Sequence, residues 1–236
     1  MANAYFKFKQ FTVHQDLAAM KVGTDGVLLG AWASLEASHS ILDIGTGTGL
    51  IALMLAQRNK HANIDAIEID KQAHQQALIN FEQSAWNNRL KAILCDLQSY
   101  QAGHRYDLIV SNPPYFNHAL KNKCEAKAKA RHTESLSYDE LIQGVSKNLS
   151  ETGRFCVILP AEEVEHIKQL ASHHKLILNN VLKVKPTPSK PPKRVLLEFS
   201  FKNKAMVQNE LIIEMFGRHQ YSDDYKTLTK DFYLSF

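Results

Sequence analysis

The sequence predicts an α/β fold, a mostly parallel sheet with helices on both faces. Three observations predict it. Short apolar runs alternate with stretches of helical spacing along 236 residues, the pattern of repeated βαβ units. A glycine-rich turn, Gly45-Thr46-Gly47-Thr48-Gly49, joins the apolar run Ile41-Leu42-Asp43-Ile44 to a helical segment. Asp43, Glu68, Asp96 and Asn112 stand at the carboxyl ends of four successive apolar runs, the edge at which open α/β sheets bind ligands.

Each element has its own signal. Strands are expected over 40–44, 64–69, 91–95, 106–111, 153–159, 176–184 and 194–201, and helices over 26–34, 48–59, 71–84, 137–149 and 161–172. Thr24-Asp25-Gly26 is expected to cap the first helix, and Asp70 the third, because a side-chain oxygen there can accept from the free N–H groups of the first turn. The double proline Pro113-Pro114 stops the strand over 106–111, since proline has no ladder N–H to give. Lys185-Pro186-Thr187-Pro188-Ser189-Lys190-Pro191-Pro192 leaves no helix between the last two strands, so they are free to pair antiparallel. Residues 211–214 read as an added edge strand, and 223–234 as a terminal helix packing through Tyr225, Leu228, Phe232 and Tyr233.

Composition bounds the architecture. A hydrophobic content of 44% over this length supports one large core and leaves little room for a second. The expected organisation is one domain, with a segment over 1–38 closing the site, a core over 39–201 and an extension over 202–236. No apolar stretch reaches a membrane span, and the amino terminus lacks a signal peptide's apolar core, so a cytoplasmic protein with no membrane partner is expected. Cys95, Cys124 and Cys156 are isolated, which argues against disulfides and zinc, and Cys95 and Cys156 are expected to be buried. His14, His173 and His174 lack ligand company, so no metal is expected.

The chemistry concentrates at Asn112-Pro113-Pro114-Tyr115. The prolines hold the Asn112 amide and the Pro113 carbonyl rigidly at a strand end, as two acceptors beside an aromatic ring. Such a corner suits a planar NH2 group, on adenine or on a carboxamide, whose nitrogen is a poor nucleophile until both protons are held. The bland alternative is a turn. Glycines in the upstream loop allow positive φ and close approach of a ligand. The spacing differs from the dinucleotide fingerprint, and Asp43 would disfavour a pyrophosphate but attract an ammonium. A cofactor carrying an amino acid fits better. Glu68, about 20 residues beyond the loop, stands where an acid chelates ribose hydroxyls, and Asp96 can accept from an adenine amino group.

These motifs together resemble the class I S-adenosylmethionine-dependent methyltransferases, within the amino-methylating group that carries Asn-Pro-Pro-Tyr. Phe11-Thr12-Val13-His14-Gln15, Met20 to Trp32 and Leu228-Thr229-Lys230-Asp231-Phe232-Tyr233-Leu234 are similar to the bacterial tRNA(Val) adenine-37 N6-methyltransferase family, so the likeness reaches both ends of the chain. The resemblance implies a Rossmann-like, mostly parallel seven-stranded sheet with an antiparallel strand near the C-terminus. It implies S-adenosylmethionine as cofactor, tRNA as partner, and methylation of the adenine N6 amino group. The catalytic residues it implies are Asn112, Pro113, Pro114 and Tyr115. Thr24, Asp43, Gly45, Thr46, Gly47, Gly49, Glu68, Ile69, Asp96, Leu97 and Asn112 form the implied cofactor set.

A net charge of +4 is modest, but the cations are clustered. Lys121, Lys123, Lys127, Lys129, Arg131 and His132 follow the reactive motif, and Lys190, Lys193 and Arg194 belong to a second run. Alone, either run reads as solvated surface. Flanking a methyltransferase motif, they read as contacts to RNA phosphates. An unpaired loop base also reaches the pocket at least cost. Rival readings are a protein glutamine N5-methyltransferase, an rRNA amino-group methyltransferase and a non-catalytic RNA-binding scaffold.

Overall fold

The computed structural model describes residues 3–114 and 136–235. Tyr115, Lys121, Lys123, Cys124, Lys127, Lys129, Arg131 and His132 lie outside the described residues. The chain opens with a short antiparallel hairpin, β1 (Tyr5–Lys7) and β2 (Thr12–His14). Then come α1 (Thr24–Trp32), β3 (Ser40–Ile44), α2 (Leu50–Arg58), β4 (Asn63–Glu68), α3 (Lys71–Glu82), β5 (Leu90–Leu94) and β6 (Tyr106–Ser111). After the undescribed stretch follow α4 (Tyr138–Asn148), β7 (Leu149–Pro160), α5 (Val164–His173), β8 (Ile177–Lys185), β9 (Arg194–Ser200), β10 (Val207–Ile212) and α6 (Asp223–Thr229).

Among the described residues one eight-stranded sheet has the order β10-β8-β9-β7-β6-β3-β4-β5. β3 pairs parallel with β4 and β6, and β9 alone runs against its neighbours β7 and β8. The seven expected strands are present, with the expected antiparallel strand. The eighth is the added edge strand, which begins earlier than expected and pairs parallel with β8 from Val207. Because β9 is inserted in reverse, the β8–β9 connection lies at the same sheet edge as the carboxyl ends of β3, β4, β5 and β6.

Two apolar layers cover the sheet. One joins Val27, Leu28 and Leu53 from α1 and α2 to Phe81 of α3 and Phe8 of the amino-terminal hairpin. The other joins Leu141 and Val145 of α4 to Ile167 of α5 and Phe155 of β7. Burying a large side chain of this kind contributes about 1.5–3 kcal/mol, which is why buried polar groups below need an explanation.

Several local expectations are corrected. Gly23, not a Thr24-Asp25-Gly26 side chain, stands at the N-cap of α1, and no side chain caps it. Asp25 instead accepts from Arg194 Nε at 2.8 Å. Cys95 is half-buried while Cys156 is buried. The terminal helix stops at Thr229 rather than at 234, because the Phe232 and Tyr233 N–H groups both turn back to the Thr229 carbonyl. The Phe232 carbonyl then accepts from Lys9 N at 2.8 Å, and Phe8 packs 5.9 Å from Tyr233 between ring centroids. The β1–β2 hairpin escaped the sequence reading because three-residue strands are too short for a period to show.

Candidate active site

β3 delivers the chain into the glycine loop at the carboxyl edge of the sheet. Gly45 and Gly47 have φ of 70° and 58°, a region that costs side-chain-bearing residues about 1–2 kcal/mol. A Cβ added to either would meet nothing within 4 Å, so open space lies directly over the loop backbone. The loop is held from below, since the Gly45 and Thr46 N–H groups donate to the Ile67 carbonyl at 3.0 and 3.1 Å.

Glu68 ends β4 and is fixed by backbone donors. Its Oε2 accepts from Gly47 N at 2.8 Å, and its Oε1 from Ile69 N at 2.9 Å and Asp70 N at 3.0 Å. A carboxylate has about four lone-pair sites, so hydroxyl donors still have room. Asp70 caps α3, as expected, by accepting from Ala73 N at 2.8 Å. Asp96 follows β5 and closes a turn, accepting from Ser99 N at 2.6 Å and from the Ser99 hydroxyl at 3.0 Å. The Ser99 N–H and then its hydroxyl hold the Asp96 carboxyl below the usual carboxylate range. At the end of β6, Ser111 donates to the Ile44 carbonyl at 3.0 Å. That bond fastens the strand carrying Asn112 to the strand carrying the glycine loop.

These ends surround a cavity of about 630 Å³, within the range of small-molecule sites. Gly45, Gly47, Glu68 and Ile69 form one part of its wall. Asp96, Leu97, Asn112, Pro113 and Pro114 form another. Carboxylates for hydroxyls and an amino group, apolar Ile69 and Leu97 for a planar ring, and glycine backbone without overlying side chains fit a cofactor built from an amino acid and an adenine nucleoside.

Four residues of the expected cofactor set are placed elsewhere. Thr24 is exposed at the start of α1 and is not among the residues that line the cavity. Gly49 turns towards Phe81, whose Cε1 would lie 2.4 Å from an added Cβ, so this glycine serves helix packing. Thr46 is buried beneath the loop and donates its hydroxyl to Asp43 Oδ2 at 2.6 Å. Asp43 is 0% exposed. Its Oδ1 is buried with no hydrogen-bond partner among the described residues. Burial raises the Asp43 pKa to about 7, against the lowering effect of the Thr46 hydroxyl, and the Glu68 charge adds to the rise. Asp43 thus supports the loop from within and does not line the cavity.

The structure adds residues that the sequence reading missed. Ala18, Ala19 and Met20 line the cavity from the amino-terminal side. Their strap is tied to α3, where Gln76 Oε1 accepts from Leu17 N at 2.9 Å. Asn80 Oδ1 accepts from His14 N at 2.8 Å, and its Nδ2 donates to the His14 and Thr48 carbonyls, each at 2.8 Å. One buried amide therefore holds both the strap and the glycine loop. Polar residues four apart on a helix look like a solvated face, which hid this pair. Glu140 also lines the cavity. It closes a capping box with Ser137 at the start of α4, and the Ser137 hydroxyl holds its pKa down.

Of the second basic run, Lys190 and Lys193 are exposed on the β8–β9 connection. Arg194 differs from them, because it is half-buried at the start of β9 and ion-paired with Asp25 at 2.8 Å. Its contact with α1 accounts for its position without a phosphate.

Residues 22–176 match the family model described as methyltransferase small domain. The chain belongs to that family and has the Rossmann-like fold of class I methyltransferases. A Bacteroides thetaiotaomicron protein named tRNA1(Val) (adenine(37)-N6)-methyltransferase is 48% identical over 235 residues, with 99% of each chain covered. A Pseudoalteromonas translucida protein of the same name is 45% identical over 229 residues, covering 97% of this chain and 98% of that one. Among solved structures, a predicted O-methyltransferase from Agrobacterium tumefaciens superposes with a TM-score of 0.69 at 18% identity, over 88% of this chain and 96% of that chain. A TehB-like S-adenosylmethionine-dependent methyltransferase from Corynebacterium glutamicum gives 0.50 at 18% identity, over 78% and 90%.

Among the described residues no helix is long and apolar enough to cross a membrane, and no group of three or more His, Cys, Asp or Glu is placed to hold a metal ion.

Proposed function

We propose that the protein methylates the exocyclic N6 amino group of adenine in tRNA, at position 37 of the tRNA(Val) anticodon loop, acting in the cytoplasm. The observation that carries this reading is Asn112 on the wall of the same cavity as Glu68 and Asp96, in a chain whose full-length relatives bear that enzyme's name. When bound, S-adenosylmethionine supplies an electrophilic sulfonium methyl group. Glu68 would accept from the ribose hydroxyls, Asp96 would accept from the cofactor's adenine amino group, and the Gly45 and Gly47 backbone would admit the amino-acid end.

The protein's part in the chemistry is positioning and electrostatics. The Asn112 side-chain carbonyl and the Pro113 main-chain carbonyl accept the two protons of the target amino group. Their pull would favour a tetrahedral nitrogen with an available lone pair. The same two dipoles would stabilise the positive charge that the target nitrogen gains on methylation. The extra proton of the product then passes to water. Tyr115 is assigned the stacking role against the target base, and the basic stretch from Lys121 to His132 a role with phosphates, on the sequence motif.

The test is transfer of a labelled methyl group into three acceptors: unmodified tRNA, ribosomal RNA and a glutamine-bearing release-factor peptide. Labelled N6-methyladenosine in tRNA is expected. Label confined to glutamine or to ribosomal RNA would replace this reading, and binding of tRNA without any transfer would favour the scaffold.

A further inference from the structure

We propose that the turn after β10, residues 215–220 with Phe216 at its exposed tip, is a stacking platform for an unpaired base of the RNA substrate, distant from the target adenine. This rests on the proposed RNA substrate and adds a second point of attachment to it. Phe216 is 84% exposed, so its ring face is open to a partner. The turn is rigid by its bonds. Met215 N donates to the Gln220 carbonyl at 2.9 Å, Gln220 N to the Gly217 carbonyl at 3.0 Å, and Glu214 bridges Tyr221 across the base of the turn.

Its position follows from the sheet. β10 runs parallel to β8, so the turn emerges at the same edge as the cavity. Glu214 N donates to the Pro186 carbonyl at 2.9 Å, which sets Phe216 beside the β8–β9 connection bearing Lys190 and Lys193. Four strand spacings separate β10 from β6 in the sheet order, about 19 Å at roughly 4.8 Å each. The Lys190 and Lys193 connection stands between the two ends.

The charges complete the case for a polyanion. Arg218 is exposed next to Phe216. Of the acids around the turn, Glu210 pairs with Lys185 at 3.3 Å and Asp223 with Lys226 at 3.4 Å, Glu214 accepts from His219 N at 2.8 Å, and Asp224 is exposed at the start of α6. An exposed ring flanked by cations is the arrangement that binds single-stranded nucleic acid, the ring taking a base face and the cations the backbone. An apolar protein partner would want a wider apolar patch without the cations.

The test compares wild type, Phe216→Ala and Phe216→Trp with unmodified tRNA and with a stem-loop carrying only the anticodon arm. Since Phe216 is exposed, Phe216→Ala should leave thermal unfolding and S-adenosylmethionine affinity unchanged. It should raise KM for whole tRNA about tenfold with little change in kcat, and Phe216→Trp should restore KM and show tryptophan quenching on adding tRNA. The wild type tests the underlying reading separately, because absence of transfer to any RNA overturns both ideas. If the wild type methylates tRNA and Phe216→Ala does so with the same KM, the platform alone is overturned. An equal effect of Phe216→Ala on the stem-loop and on whole tRNA places the stacked base in the anticodon arm. An effect on whole tRNA only places it outside.

Discussion

The two halves of the sheet's carboxyl edge are built for opposite charges. At β3 to β6 the edge is acidic and partly enclosed, with Glu68, Asp96 and Glu140 around the cavity. At β8 to β10 it is basic and open, with Lys190, Lys193 and Arg218 exposed. A small cationic cofactor suits the first, and a polyanion the second. The contrast teaches that one row of strand ends can sort its ligands by charge, since exposed charges beyond about 10 Å are screened from each other at ordinary salt.

The Asn112 corner lies at the border of the two halves, so breaking it is expected to have the largest effect. Asn112→Ala is expected to lower kcat about 10²–10³-fold, the usual cost of one dipole aimed at developing charge. The basic half should still bind tRNA within about tenfold of wild type, since phosphate contacts dominate affinity. Near-normal turnover in this variant would reduce Asn112 to a turn residue.

Glu68→Ala should break the acidic half alone. It removes a carboxylate that accepts three backbone N–H groups, and the loss of a charged partner is worth about 1–3 kcal/mol, or about 5–150-fold in S-adenosylmethionine affinity. Calorimetry should detect it, with tRNA affinity unmoved. Unchanged cofactor affinity would take Glu68 out of the site.

Asp43 sharpens the comparison through pH. Its folded pKa is raised to about 7 from 3.8 because burial disfavours the carboxylate. Between these values the folded state holds a proton that the unfolded state has lost. The contribution of Asp43 to stability is therefore full below pH 3.8 and is lost as pH rises towards 7. Asp43→Asn should remove this part of the pH dependence, so the variant's Tm should gain on wild type from pH 5 to pH 8. Parallel Tm profiles would show that Asp43 does not titrate there.

The smallest effect belongs to the open half. Replacing Lys190 and Lys193 by alanine should flatten the log–log salt dependence of tRNA binding by roughly 0.7 per lost phosphate contact. Cofactor affinity should stay constant. Arg194 is left intact because its removal would also break the ion pair with Asp25. An unaltered slope would make the connection ordinary solvated surface.

Much of the acidic half was legible, because a strand followed by glycines or by a lone acid is a local pattern. Gly45, Gly47, Glu68, Asp96 and Asn112 needed only the order of strands to meet. What was hidden depended on contacts distant in sequence. Asn80 shares its amide with His14 and Thr48, which lie 66 and 32 residues away in sequence. Arg194 joined the cations until Asp25 was found 169 residues away. Gly49 read as a ligand glycine until Phe81 was found against it. Phe216 gave no periodic signal, being one aromatic in a turn.

The bond from Lys9 to Phe232 also orders events in the cell. Synthesis is vectorial, and domains generally begin to fold from the amino end at about 5–20 residues per second. The β1–β2 hairpin is synthesised well before Phe232 and Tyr233, against which part of it packs. The strap that borders the cavity is therefore fully secured only after residues 230–233 have emerged. A chain cut before residue 230 would keep every residue that lines the cavity and lose a tether of the wall that encloses it.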